Sequence, residues 1–101
     1  MKMITLAAIT GALILTGCTK PSEEECIRYG EIADTMMSAK QYEVRTDTQL
    51  LLLGHVSNDK KIITIAQLVA DTNVMSTKFG KDAMSDSFNV FIKDRCTRGD
   101  L

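Results

Sequence analysis

Two cysteines, Cys26 and Cys96, bracket nearly all of the polar part of this 101-residue chain, and a bond between them would hold together the ends of everything in between. Whether they pair depends on the compartment, because disulfides persist where the surroundings oxidise. The start of the chain speaks to that. Lys2 followed by the apolar run Ile4 to Leu15 has the charged-then-apolar layout of an export signal, and Thr16-Gly17 are the small residues needed before a cut. A membrane-spanning helix is the competing reading. It needs ~20 apolar residues, and this run ends sooner, in Gly17-Cys18-Thr19-Lys20-Pro21. Removing 17 of the 101 residues leaves 84, a single small domain at a size where an apolar core barely outweighs chain entropy and a staple is usual. Apart from Cys18, Cys26 and Cys96 allow only one pairing. Closing a loop of about 70 residues stabilises by roughly 4 kcal/mol in the chain-entropy account. A redox-active dithiol is the other reading of the pair, but the close Cys-x-x-Cys spacing of such chemistry is missing.

The leader ends in Leu15-Thr16-Gly17-Cys18. These four residues, placed directly after the apolar run, resemble the lipobox of bacterial prolipoproteins. The resemblance implies a signal peptide over 1–17, a diacylglycerol and a palmitate-type acyl chain on Cys18 and a lipidated tether over 18–22, which leaves 23–101 as the domain. Thr19 is not the Asp associated with inner-membrane retention, so the expected location is the outer membrane, lipid-anchored and facing the periplasm. An ordinary secretory leader is the alternative, with Cys18 left as a thiol and the protein soluble in the periplasm. With Lys2 gone, the 12 basic residues become 11 against 13 acidic ones. The signs are interspersed, so no nucleic-acid partner is implied.

The mature part predicts four helices. Ser22-Glu23-Glu24-Glu25 is a capping box, and Cys26, Tyr29, Gly30, Ala33, Met36, Met37 and Lys40 recur at spacings of three and four, giving a helix from Glu23 to about Lys40. The three glutamates suit the positive end of its dipole. Thr46-Asp47-Thr48-Gln49 repeats the box, and a short helix Asp47 to Leu53 should end at Gly54 in a left-handed cap. Leu50, Leu51, Leu52 and Leu53 wrap more than one face, so they are either covered on several sides or offer a leucine to a partner. Ser57, Asn58 and Asp59 are N-cap candidates for a third helix, Asp59 to Asp71, with Ile62, Ile65, Ala66 and Val69 on one stripe. A strand over Ile62 to Ile65 is the other reading and finds no strand partner. Ser76 can cap a fourth helix, weakened by Gly80 so that its start falls near Lys81, in which Met84, Phe88, Phe91 and Arg95, with Ile92 and Cys96 one step round, share a face until Gly99.

Cys26 opens the first helix and Cys96 closes the last. Bridging requires Cα atoms within ~7 Å, while helices of this length run ~25–30 Å. The two meet after an even number of passes, so the expected fold is all-α, a bundle of about four helices closed by one disulfide. The turn after the first helix and the one near Asn73 then share the opposite pole.

Little in the chain carries chemistry. His55 is the only histidine, which leaves no material for a triad or a multi-histidine metal site. Asp59 stands four residues on, and a shared helix face would make a two-ligand site, but Gly54 and Ser57-Asn58 place His55 at a surface turn. No phosphate loop, nucleophile elbow or zinc spacing is present, and Arg98-Gly99-Asp100 is explained by a helix-stopping glycine. No cofactor or metal is expected. From Cys26 through Met36 or Met37, Lys40-Gln41, Leu50 to Leu53, Ile62-Ile63 and Phe88 to Cys96 the chain resembles a group of small exported proteins of proteobacteria and their phages or prophages. It departs at Tyr42, where the group tends to Gly, and at Val69-Ala70-Asp71, where it tends to Ala-Tyr. The resemblance brings no active residues with it. The expected function is a non-enzymatic lipoprotein that binds another envelope protein and is encoded on a phage or prophage. Two alternatives stand beside it: a pilotin-like grip on a secretin helix in a leucine-lined groove, and a small envelope hydrolase needing His55 beside Glu43 or Asp59.

Overall fold

The Ser22 hydroxyl accepts the backbone N–H of Glu25 at 3.1 Å, and helix α1 runs from there over Glu23–Gln41. This is the first element of a computed structural model that describes residues 22–101. The expected export signal, the lipobox-like Leu15-Thr16-Gly17-Cys18 and the expected acylation at Cys18 lie outside the described residues. The expected stripe is the one buried: Cys26, Tyr29, Gly30, Ala33, Met37 and Lys40 face inward, with Gln41 completing it. Met37 is wholly enclosed and Met36 only half so, which makes the first a core filler and leaves the second at an edge.

Helix α2 spans Asp47–Ser57 and opens with both halves of a capping box between Thr46 and Gln49. Its end corrects the sequence expectation. Gly54 does not stop the helix at Leu53; the helix continues through Gly54 and His55, and Asn58 supplies the left-handed cap at φ 57°. Gly54 serves a packing role instead. A Cβ added there would lie 2.9 Å from the Ala66 Cβ and 3.3 Å from the Ile63 Cα, so the missing side chain is what lets the next helix come close.

Helix α3, Lys60–Ala70, begins at Asp59, whose carboxylate accepts the Lys61 N–H at 2.8 Å, and it buries Ile65, Ala66 and Val69. The β-branched run is helical because these residues fill the space against α1 and α2, which outweighs local propensity. Helix α4, Lys78–Thr97, is capped by Thr77 rather than Ser76, its hydroxyl accepting from the Gly80 N–H, so the start is Lys78 and not Lys81. The buried line on α4 is Ser85, Phe88, Ile92 and Cys96, one step round from the expected face. Phe91 sits at its border, tilted against Phe88 with ring centroids 5.7 Å apart and 43% exposed. Gly99, at φ 81°, ends the helix, with its N–H donating to the Cys96 carbonyl and that of Asp100 to Arg95.

The fold is all-α, four helices with no strand among the described residues, closed by a Cys26–Cys96 disulfide with Cα atoms 5.4 Å apart. The two long helices, 19 and 20 residues and therefore about 30 Å, lie antiparallel and form the most extensive pairing. Ser38 bonds Ser85 at 2.9 Å and Asn89 bonds Asp34 at 3.2 Å along one side of their seam. The shorter α2 and α3 form a hairpin that rests on α1 mainly through α3, while α2 touches α1 lightly. The four passes bring the turn after α1 and the segment 71–77 together at the pole opposite the bridge. There the Gln41 amide donates to the Asn73 carbonyl at 2.9 Å and accepts the Met75 N–H at 2.7 Å. Lys40 caps the end of α3 through the carbonyls of Val69 and Ala70 and pairs with Asp47 at 3.2 Å. No described helix is long and apolar enough to cross a membrane.

Candidate functional site

Carboxylates and the single histidine are dispersed by the helices. Glu43 precedes α2, and His55 lies in its last turn, about 12 Å along the axis from the first helical residue, Asp47. Glu43 and His55 are both exposed. Asp59 is engaged structurally: one oxygen accepts the Lys61 N–H and the other the Tyr29 hydroxyl at 2.8 Å. Burial works against the Asp59 charge, but the bonds from Tyr29, Lys61 and Ile62 and the nearby Lys61 ammonium outweigh it and hold the carboxyl below its ordinary range. The Tyr29 hydroxyl is pushed up, by burial first and then by its bond to that carboxylate. At the opposite pole Asp82 bonds both Lys78 and Tyr42, which lowers the carboxyl and raises its two partners. Among the described residues no three of His, Cys, Asp or Glu gather as metal ligands.

The four leucines divide. Leu50 and Gly54 point inward from α2, and Leu51 is half-buried. Leu52, Leu53 and Val56 are 62%, 49% and 73% exposed. Leu52 and Val56 are one helical turn apart, with Leu53 beside them, so together they form an apolar ridge on the outer side of α2. Where α2 stands off α1, Leu53 joins Ile32, Thr35 and Met36 in a groove of about 350 Å³, edged by Arg28 and Glu31. From Thr48 to Asn58 no Asp, Glu, Lys or Arg occurs, in a chain of which 25% is charged. A surface combining exposed apolar side chains with absent charge has the composition of an interface centre.

Two other groups of exposed apolar side chains occur. Val90 and Phe91 on α4 stand among Asp86, Lys93 and Asp94, and Tyr42, Val44, Val74 and Phe79 ring the pole away from the disulfide. The sequence reading found the leucines and, on α1, Met36, but not Val56, because it ended α2 too early, nor Ile32. The signal that reaches Val56 is the uncharged stretch itself, which runs past Gly54. Compared with protein-family models, curated proteins and solved structures, the chain matches none.

Proposed function

We propose that this chain is a non-enzymatic lipoprotein, anchored through Cys18 to the periplasmic face of the outer membrane, that works by binding another envelope protein through α2. The observation carrying the binding role is the uncharged ridge of Leu52, Leu53 and Val56, which the fold leaves in solvent on the helix that touches α1 only lightly. The anchor rests on the leader and its Leu15-Thr16-Gly17-Cys18 motif. The Cys26–Cys96 bridge is in keeping with an oxidising compartment. A pilotin-like grip calls for a concave groove of leucines. Here only Leu53 enters the α1–α2 groove, so a ridge on which a partner docks describes the surface better. An encoding mobile element is part of the same proposal and is tested by gene neighbourhood.

The test uses the full chain in a bacterium with two membranes. A photo-crosslinking residue in place of Leu52 is expected to give a discrete adduct, and the same residue in place of Asp86 on α4 none. Labelling with a fatty-acid analogue is expected to be lost in Cys18→Ala. Equal crosslinking at both positions refutes the docking surface, and labelling that survives Cys18→Ala refutes the anchor.

A further inference from the structure

We infer that the groove between α1 and α2 seats one acyl chain of Cys18 whenever the protein is out of the bilayer. The inference rests on the anchored reading, which supplies the chain. The groove adjoins the place where the tether meets the body. A second hollow, of about 560 Å³, opens at Ser22 and takes in Ile27, and both hollows are lined by Arg28 and Glu31. Together they run down one side of α1 from its capping residue to Met36. Helix α1 rises ~1.5 Å per residue, so Arg28 stands about 9 Å and Met36 about 21 Å beyond Ser22 along the axis. The four residues from Cys18 to Ser22 span at most ~14 Å. An acyl chain fills one leaflet, half of a ~30 Å hydrocarbon core, and adds about 15 Å. Tether and chain together therefore reach past the far end of the groove.

The size and lining of the groove select a chain of this kind. One turn of a helix 10–12 Å across occupies roughly 400–600 Å³, more than the whole groove of about 350 Å³, whereas an extended hydrocarbon chain is far thinner. Ile32, Met36 and Leu53 offer aliphatic or thioether surface, and Thr35 adds a methyl group. Methylene groups ask for no hydrogen bonds, and the unbranched Met36 adapts to what it meets. The two charged residues, Arg28 and Glu31, stand at the end nearer Ser22, where the polar head of the chain arrives. The other exposed apolar groups suit it less. Val90 and Phe91 stand among Asp86, Lys93 and Asp94, and the group around Phe79 lies at the far pole, at the limit of the tether's reach. Apolar burial is worth more the more area is covered. A bilayer surrounds an acyl chain on every side and an open groove on only part of it, so the groove competes with water and yields to the membrane. Leu52 and Val56 do not line the groove and stay available to a protein partner.

The experiment expresses the full chain in a bacterium with two membranes fed a diazirine-bearing fatty acid, purifies it in detergent, removes the detergent and irradiates the monomer. Mass spectrometry is expected to find the acyl chain joined to Ile32, Thr35, Met36 or Leu53. Thr35→Trp and Leu53→Lys, both at exposed positions, fill the groove or charge its wall and should each remove most of these adducts. Gln67→Trp, exposed on α3, should leave them unchanged. Circular dichroism checks that the variants keep their helices. In vesicles of phosphatidylethanolamine and phosphatidylglycerol the adducts should move to phospholipid. Adducts scattered over the body, adducts formed only between copies in aggregates, or groove adducts indifferent to both groove substitutions overturn the inference and leave the anchor standing. Groove adducts undiminished in vesicles do the same. A chain that takes up no fatty acid removes the anchor, and the inference with it.

Discussion

Exchanging the two small residues where α2 meets α3 tests the corrected end of α2. Gly54→Ala puts a Cβ 2.9 Å from the Ala66 Cβ, well inside the ~3.5–4.0 Å at which carbon atoms attract. Overpacking of this kind costs about 1–3 kcal/mol, and the helix propensity gained by losing a glycine returns about 0.8–1.0 kcal/mol. The net loss is roughly 1 kcal/mol. Ala66→Gly alone loses about 1 kcal/mol of propensity and about 0.8 kcal/mol for the buried carbon, roughly 2 kcal/mol in all. In the double variant the clash is gone and the propensities cancel, so its stability should return close to that of the parent. The coupling is then roughly 3 kcal/mol, at the top of the range found for residues in direct contact. Urea unfolding followed by far-ultraviolet circular dichroism measures it, since at a slope of ~1 kcal/mol/M the coupling corresponds to about 3 M in the midpoints. A double variant whose loss equals the sum of the single losses within ~0.5 kcal/mol would refute the reasoning, because residues out of contact add. A Gly54 serving as a left-handed cap would give that additive result.

Removing the bridge with Cys26→Ser and Cys96→Ser together should cost roughly 4 kcal/mol. That is comparable with the whole stability of a domain this small, so the variant should be largely unfolded at 37 °C by circular dichroism. The lowered Asp59 carboxyl makes stability depend on acid. Its contribution is complete above the ordinary carboxylate range and disappears as the pH falls through its depressed value. Tyr29→Phe takes away one donor, so Asp59 should titrate higher by NMR and the acid limb of stability should shrink. Gln41→Leu keeps the volume but strips two bonds from the 71–77 segment. It should lose about 1–3 kcal/mol, with the Met75 amide exchanging faster before the core amides do.

The four helices were legible because each begins with a side chain able to bond the free N–H groups of a first turn and continues with apolar residues three and four apart. Ser22, Thr46 and Asp59 were recognisable as caps; Thr77 and Ser76 are chemically alike, and only tertiary packing selects between them. The bridge was legible because two cysteines allow one pairing once Cys18 is set apart. Gly54 was misread for a physical reason: a glycine after a leucine run serves equally as a left-handed terminus or as a gap for a neighbouring helix, and the second use depends on Ala66, twelve residues away. Gln41 was missed because a polar residue at a helix end usually faces water. Here it binds backbone groups of a segment more than thirty residues later, a partnership no local pattern announces. The ridge was half legible, since four adjacent leucines cannot all face one way. Which of them face outward was decided by α3.

The position of the sulfur bridge has a consequence for survival among proteases. It joins residues near the two ends of the described body, with Ser22 to Glu25 before the ring and Thr97 to Leu101 after it. A single hydrolysed peptide bond between the two cysteines therefore opens the ring without dividing the molecule. Both pieces stay fastened to whatever holds the N-terminal segment, and shedding the body requires a second event, either another cut or reduction of the sulfurs.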